Sequence, residues 1–178
     1  MKSIAAIAEN LALGKNGQLL YSLPSDMAHF KSETLGGIVI MGRKTLESMP
    51  NGKPLPGRHT MVLSSSMKSG IWVRKTKTGS WVLGVFNTVD SMMEYLGIGE
   101  GGKGSEGRNI SVCGGGEIYR LLMPWCSELV LTEVQDSPQD VDTWYPDFRA
   151  SGEWALFEKS EELEENGFKF TICRYKRA

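Results

Sequence analysis

The chain has 178 residues, 40% of them hydrophobic and 23% charged, with a formal net charge of −1. A chain of this length buries about 70% of its unfolded surface in one core, and this composition excludes disorder. The near-neutral charge gives no reason to expect nucleic acid or an anionic membrane as partner, and three scattered cysteines, Cys113, Cys126 and Cys173, argue against a disulfide framework and for a reducing compartment.

The apolar run Ile4 to Ala8 ends at Glu9, too short for a signal peptide or a membrane span, so the expectation is a cytoplasmic protein. Neither His29 nor His59 belongs to a metal-ligand spacing, so no metal is expected. Without a Gly-x-Ser-x-Gly elbow, nucleophilic hydrolysis has little support. An enzyme made from these residues would rely on a carboxylate and a bound cofactor.

In chain order, Ser3 to Ala8 reads as a buried strand, although periodicity alone leaves a helix open. Asn10 to Leu20, with Gly14, Asn16 and Gly17, reads as a loop of functional length. Pro24 with Ser22 and Ser25 marks a helix start, and Gly36-Gly37 its stop after Thr34. Ile38 to Met41 is a strand buried on both faces. Gly42-Arg43-Lys44-Thr45 opens a second helix that ends near Met49-Pro50, and Thr60 to Leu63 is the next strand, ending at Ser64-Ser65-Ser66. Ile71–Val73 and Trp81–Val85 read as strands around a polar hairpin-like stretch, Arg74 to Ser80. Val89 to Leu96 is a short helix, and Gly97 to Gly107 a glycine-rich loop with no chemistry assigned. Asn109 to Cys113 is a strand, Gly114-Gly115-Gly116 precedes a helix from Glu117 to Met123 stopped by Pro124, and Glu128 to Val134 is a strand. Trp154–Lys159 and Phe168–Tyr175 form a terminal antiparallel hairpin with Asn166-Gly167 in its loop.

Strands alternating with helices predict a largely parallel sheet with right-handed crossovers, in which ligands bind at the carboxyl ends of strands. Two candidate sites lie at such ends. Gly42 to Thr45 joins a glycine to two cations at a helix start, which suits an anion. At Gly114 to Gly116 a backbone without side chains allows close approach, although Gly-x-Gly-x-x-Gly is absent. One nucleotide spanning both is the reading. A third centre is Asp26, four residues before Phe30 and next to Met27 on one helix surface. The ordinary reading is a first-turn acid favoured by the helix dipole. Among apolar neighbours the same carboxylate needs a partner, since an unpaired buried charge takes up a proton instead.

The motifs Ile4-Ala5-Ala6, Gly14-Lys15-Asn16-Gly17, Leu23-Pro24-Ser25-Asp26, Met41-Gly42-Arg43-Lys44-Thr45, Leu55-Pro56-Gly57-Arg58, Cys113 to Tyr119, Thr132, and Asp142 before Tyr145-Pro146 stand in the order of one family over about 140 residues. The sequence resembles dihydrofolate reductase. The resemblance implies a single α/β domain over 1–178, with an adenosine-binding part near 38–108. It implies a central, mostly parallel twisted sheet of about eight strands, an antiparallel C-terminal hairpin and helices on both faces. The activity implied is NADPH-dependent reduction of dihydrofolate to tetrahydrofolate, by hydride transfer to pterin C6 and protonation at N5, in support of thymidylate and one-carbon metabolism. Antifolates such as trimethoprim or methotrexate are implied ligands, and a monomer is the default expectation.

Position by position, the resemblance makes Asp26 the pterin-binding acid, Thr132 its supporting hydroxyl and Tyr21 a further catalytic position. It places Ile4, Ala5, Ala6, Met27, Phe30, Lys31, Met49, Leu55, Arg58 and Cys113 around the substrate, with Arg58 on its α-carboxylate. Ala6, Leu13, Gly14, Asn16, Gly17, Leu19, Gly42, Arg43, Lys44, Thr45, Leu63, Ser64, Ser65, Cys113, Gly114, Gly115, Gly116, Glu117, Ile118 and Tyr119 fall along the cofactor, with a cis bond between the first two of the three glycines. Asn10 to Leu20 would close over the nicotinamide. Three departures stand out: Leu20-Tyr21 where the family has Pro-Trp, Glu117 where some relatives carry a base near the 2′-phosphate, and the long Gly97–Gly107 loop. The first implies slower turnover or an altered antifolate response, the second a weaker preference for NADPH over NADH. A pyrimidine reductase of riboflavin synthesis shares the cofactor half but gives no reason for Leu23-Pro-x-Asp26 with Leu55-Pro-Gly-Arg58. A non-catalytic module gives no reason to keep Asp26, Thr132 and Arg58 together.

Overall fold

A computed structural model describes residues 1–77, 79–99 and 103–178. The expected glycine-rich loop therefore lies partly outside the described residues. Among the described residues the main sheet holds ten strands, two more than the roughly eight expected. Its parallel centre is β1 (Lys2–Ala8), β4 (Ile38–Gly42), β5 (His59–Leu63), β7 (Gly79–Phe86), β8 (Ile110–Val112) and β9 (Glu128–Val134). β6 (Gly70–Thr76) closes one edge antiparallel to β7. At the other edge β13 (Phe168–Arg177) runs antiparallel to β9 and carries β11 (Trp154–Lys159) and β12 (Leu163–Glu165) outside it.

Strand alternation divides the sheet into two faces. On β4, Ile40 joins Ile7, Met61, Leu129 and Leu131 under α3 (Val89–Leu96) and α4 (Gly116–Leu122). Val39 and Met41 turn the other way, to Val62, Val85 and Leu46 of α2 (Arg43–Ser48). That second face also carries α1 (Pro24–Thr34), so helices cover both sides. Each buried Ile, Leu or Met contributes roughly 1.5–3 kcal/mol, which makes the two layers the main source of stability.

Local signals account for most helix ends. Thr88 accepts a hydrogen bond from the Ser91 amide at the start of α3, and Gly97 closes it in the left-handed region at φ 65°. α4 ends at Leu122, two residues before Pro124, and the chain passes into a short 3-10 turn, Met123–Trp125. α1 opens on Pro24, but its N-cap, Leu23, offers no side-chain acceptor. Glu165 of β12 supplies one from far along the chain, accepting from the Ser25 amide at 3.0 Å and from the Ser25 hydroxyl.

One expected loop is partly strand. Asn10–Leu20 contains β2 (Ala12–Lys15) and β3 (Gln18–Leu19), joined by Asn16-Gly17 at φ 52° and 75°, and β2 pairs with β10 (Thr143–Trp144) in a second, three-stranded sheet. Two successive positive φ angles make the turn whose twist suits a hairpin. The hairpin-like stretch Arg74–Ser80 continues the ladder as expected, with Arg74 opposite Trp81 and Thr76 opposite Gly79. An edge hairpin exposed on both faces needs no apolar alternation.

At Gly37, between α1 and β4, an added Cβ would lie 2.4 Å from the Asn109 carbonyl oxygen. Gly37→Ala is expected to cost about 1–3 kcal/mol through this overpacking. Urea unfolding checks it, as a lower midpoint with an unchanged slope.

Candidate active site

In-register pairing puts Ala6 of β1 beside Thr132 of β9, so Ile4, Ala6 and Thr132 share the face that α1 crosses. Thr132 donates from Oγ1 to Asp26 Oδ1 at 2.6 Å. Asp26 is half-buried, and burial holds its carboxyl above the usual carboxylate range, against the opposing pull of the Thr132 hydrogen bond and nearby His29. No hydrogen bond from a described residue reaches Oδ2. That oxygen remains an acceptor at the edge of the cleft.

Met27, 53% exposed, and Lys31 stand at the open side of α1, with Phe30 half-buried beside them. Met49 and Cys113 lean on the apolar layer of Val39 and Val62 across from α1, and Leu55 is half-buried. Burial pushes the Cys113 thiol up to about 12. At the far end of α1, Arg58 is only 5% exposed. Its Nε donates to Thr34 Oγ1 at 3.1 Å and its Nη1 to the Pro56 carbonyl at 2.8 Å. No ion pair among the described residues engages it, and burial lowers its pKa. A buried guanidinium without a counter-ion is a site for an anion.

The two glycine sites meet. The Gly42 amide donates to the Gly114 carbonyl at 2.8 Å, which joins the exits of the neighbouring strands β4 and β8. The Gly114–Gly115 bond is cis. A Cβ on Gly114 would stand 3.4 Å from Tyr119 Oη and 3.6 Å from Thr45 Oγ1, so glycine keeps this gap open. Gly42 and Gly115 are the N-caps of α2 and α4 and carry no capping side chain, which leaves first-turn amides unspent. Lys44 is exposed and in no ion pair among the described residues, whereas Arg43 is tied to Glu47 at 2.8 Å. Ser64 and Ser65 close the same edge at the end of β5. Amides, a hydroxyl and a free cation around a gap fit the phosphates of a nucleotide.

The family model for dihydrofolate reductase matches residues 1–177. The chain belongs to the dihydrofolate reductase family. It is 34% identical over 173 residues to the dihydrofolate reductase of Neisseria gonorrhoeae, covering 97% of this chain and 94% of that one. It is 33% identical over 157 residues to the type 3 dihydrofolate reductase of Salmonella typhimurium, covering 88% and 84%. The dihydrofolate reductase of Enterococcus faecalis, solved with NADP(H) and RAB-propyl, shares the fold at a TM-score of 0.75 and 24% identity, over 99% of this chain and 95% of that one. As a dihydrofolate reductase the protein is an oxidoreductase.

Several residues that the family resemblance puts at ligands face elsewhere. The side chains of Ala5, Leu13 and Leu63 belong to the opposite core, so only their backbone is available to the cleft. Ile118 and Tyr119 are buried in that core but still border the glycine gap: a Cβ on Gly42 would meet Ile118 at 2.9 Å, and the Tyr119 hydroxyl, beside Gly114, donates to the Ile4 carbonyl at 2.7 Å. Tyr21 donates to Asp136 Oδ2 at 3.0 Å and packs edge-on to Phe168, which spends its donor at the exit of β9. Glu117 is exposed, 3.9 Å from Arg120. Leu19 is exposed, and Asn16 donates its amide to Asp142 Oδ2 at 2.7 Å, which ties the Asn10–Leu20 segment to β10. Sequence reasoning missed Glu165 and the ion pairs of Glu33 with Lys2 and Arg174 that seat α1. Their partners are over 30 residues away along the chain, and no local pattern signals them.

Proposed function

We propose that this member of the family reduces dihydrofolate to tetrahydrofolate with NADPH as the hydride donor. The observation that carries the reading is the Asp26 carboxyl, held by Thr132 with Oδ2 still free to accept. A pterin presents two adjacent donors, a ring N–H and the 2-amino group, which a carboxylate accepts as a charge-assisted pair. Ionised Asp26 then places negative charge where it favours a proton on N5. Ile4, Ala6, Met27, Phe30, Met49, Leu55 and Cys113 supply apolar contact to the rings, and Arg58 receives the α-carboxylate of the tail.

NADPH, when bound, supplies the hydride to pterin C6. The chain's share is to hold the two rings together and dry. Thr45, Lys44, the first-turn amides and Gly114–Gly116 take the phosphates, with Ser64 and Ser65 at the adenosine end of the 38–108 part. The Asn10–Leu20 segment, fastened by Asp142, closes over the nicotinamide. Glu117, with its own arginine partner, adds no attraction for a 2′-phosphate, so the margin over NADH is small. In this reading the protein works as a cytoplasmic monomer in thymidylate and one-carbon metabolism and binds trimethoprim or methotrexate.

The test is the absorbance of NADPH on adding dihydrofolate to purified protein. Oxidation that requires both components is expected. Tight NADPH binding with no oxidation would refute the substrate assignment, and equal rates with NADH would refute the NADPH preference.

A further inference from the structure

The side of α1 that rests on the sheet carries a polar stripe, and one group in it has no part in the reading above. Asp26, His29 and Glu33 follow at i, i+3 and i+7, a single stripe of helix surface. Both ends of the stripe are held. Thr132 donates to Asp26 at 2.6 Å, Lys2 pairs with Glu33 at 2.5 Å, and Arg174 pairs with Glu33 as well. His29 lies between them with Nε2 buried and without a hydrogen-bond partner among the described residues. The sheet beneath continues the pattern. Lys2, Ser111, Val39 and Thr60 stand side by side on β1, β8, β4 and β5, and the Ser111 and Thr60 hydroxyls are also buried without partners among the described residues. Of the residues of α1 only Thr34 is fully buried.

We propose that His29 is a positioning residue for the proton of Asp26, the two side chains titrating as a coupled pair through the seam between α1 and the sheet. Charges one helical turn apart in a partly dry seam interact far more strongly than in water. Protonated His29 favours ionised Asp26, and neutral His29 releases the acid to take its proton back. Burial lowers the midpoint of His29 and raises that of Asp26, so the two steps draw together and no longer belong to single residues. The other charges facing the pair are Glu33 on α1, Lys2 on β1, Arg174 on β13 and, beside Asp26, Glu165 on β12. Lys2 and Arg174 both pair with Glu33, and against its burial they hold the Glu33 carboxyl below the usual carboxylate range. Transfer of one proton from the Asp26 carboxyl to the His29 imidazole converts the neutral pair to the ionised pair, with no proton exchanged with solvent. A ligand that donates to Asp26 favours the ionised pair. That consequence rests on the function proposed above, whereas the coupling belongs to the ligand-free protein.

The experiment is an NMR titration of ligand-free protein, following the aspartate carboxyl carbons in the parent, His29→Phe and His29→Gln, and the histidine nitrogens in the parent and Asp26→Asn. Asp26 is expected to titrate at a higher pH in both His29 variants, because a favourable cation is gone. His29 is expected to titrate at a lower pH in Asp26→Asn, by an equal and opposite shift, as linkage requires. An unmoved Asp26 midpoint in both His29 variants overturns the proposal, and so does a rise with Phe that Gln does not share, which would mark repacking. If neither His29 variant folds, the His29 midpoint in Asp26→Asn decides alone. Failure of the parent to oxidise NADPH would defeat the functional reading without touching these midpoints.

Discussion

Asp26→Asn is expected to lower the rate of dihydrofolate reduction on the order of 10²–10⁴-fold at neutral pH, the range for loss of a positioned acid–base group. The amide can still accept from Thr132 through Oδ1, so the 2.6 Å contact has a substitute and α1 stays in place. What changes is the second atom. An NH2 replaces Oδ2 and meets the donors of the pterin with a donor, so an attractive pair becomes a repulsive one. Steady-state rates across pH check this: the parent profile carries the ionisation of Asp26 and the variant profile does not. A variant retaining most of the parent rate would remove Asp26 from the reaction.

The same substitution has a signed effect on stability. The folded-state midpoint of Asp26 is raised, chiefly by burial. Between the ordinary aspartate range and that raised midpoint, the folded protein holds more protons than the unfolded chain, so parent stability falls as pH rises through this window. Asparagine has no such loss. The stability of Asp26→Asn relative to the parent should therefore climb with pH across the window and level off above it. Urea midpoints at several pH values read it directly. A difference independent of pH would place Asp26 in an environment like water.

Legibility in the sequence followed the range of the physics involved. Val89–Leu96 is read to the residue because its cap, Thr88, and its stop, Gly97, adjoin it. Glu128–Val134 is equally clear, built on the apolar run Leu129–Leu131 and closed by Val134. The hairpin in Asn10–Leu20 shows how a local signal loses to composition. Asn16-Gly17 marks a two-residue turn, but the strands beside it have four and two residues and owe their place to β10, 120 or more residues later. The contact of Thr132 with Asp26 spans 106 residues, and only the family resemblance, not spacing, put the two together. The partner of Tyr21 was not legible, since Asp136 lies 115 residues away and reaches it only when β9 and α1 are in place. Glu165 is the sharper case, one glutamate among several in a polar hairpin that caps the helix carrying the acid.

Arg58 carries the second large effect, and two properties that ordinarily trade against each other decide it. Arg58 is 5% exposed, its guanidinium is fixed by Thr34 and Pro56, and it has no carboxylate partner among the described residues. An unpaired buried cation weakens the folded state, and replacing such a charge by an apolar side chain of similar length is often neutral or stabilising. Arg58→Met is therefore expected to keep or raise the urea midpoint. The same change removes the fork that, in the proposed function, receives the substrate carboxylate, a charge-assisted contact contributing roughly 1.5–3 kcal/mol. KM for dihydrofolate should rise on the order of 10–150-fold with kcat changed much less, because a contact remote from the reacting atoms acts on binding. Arg58→Lys separates charge from shape: lysine keeps the cation but cannot present two parallel donors, so its KM should lie between parent and Met. A raised KM together with a lowered urea midpoint would mean that Arg58 holds α1 to the β5 entry through Thr34. An unchanged KM would send the carboxylate elsewhere. Only a raised KM at undiminished stability fits a cation kept free of partners so that a ligand can provide one.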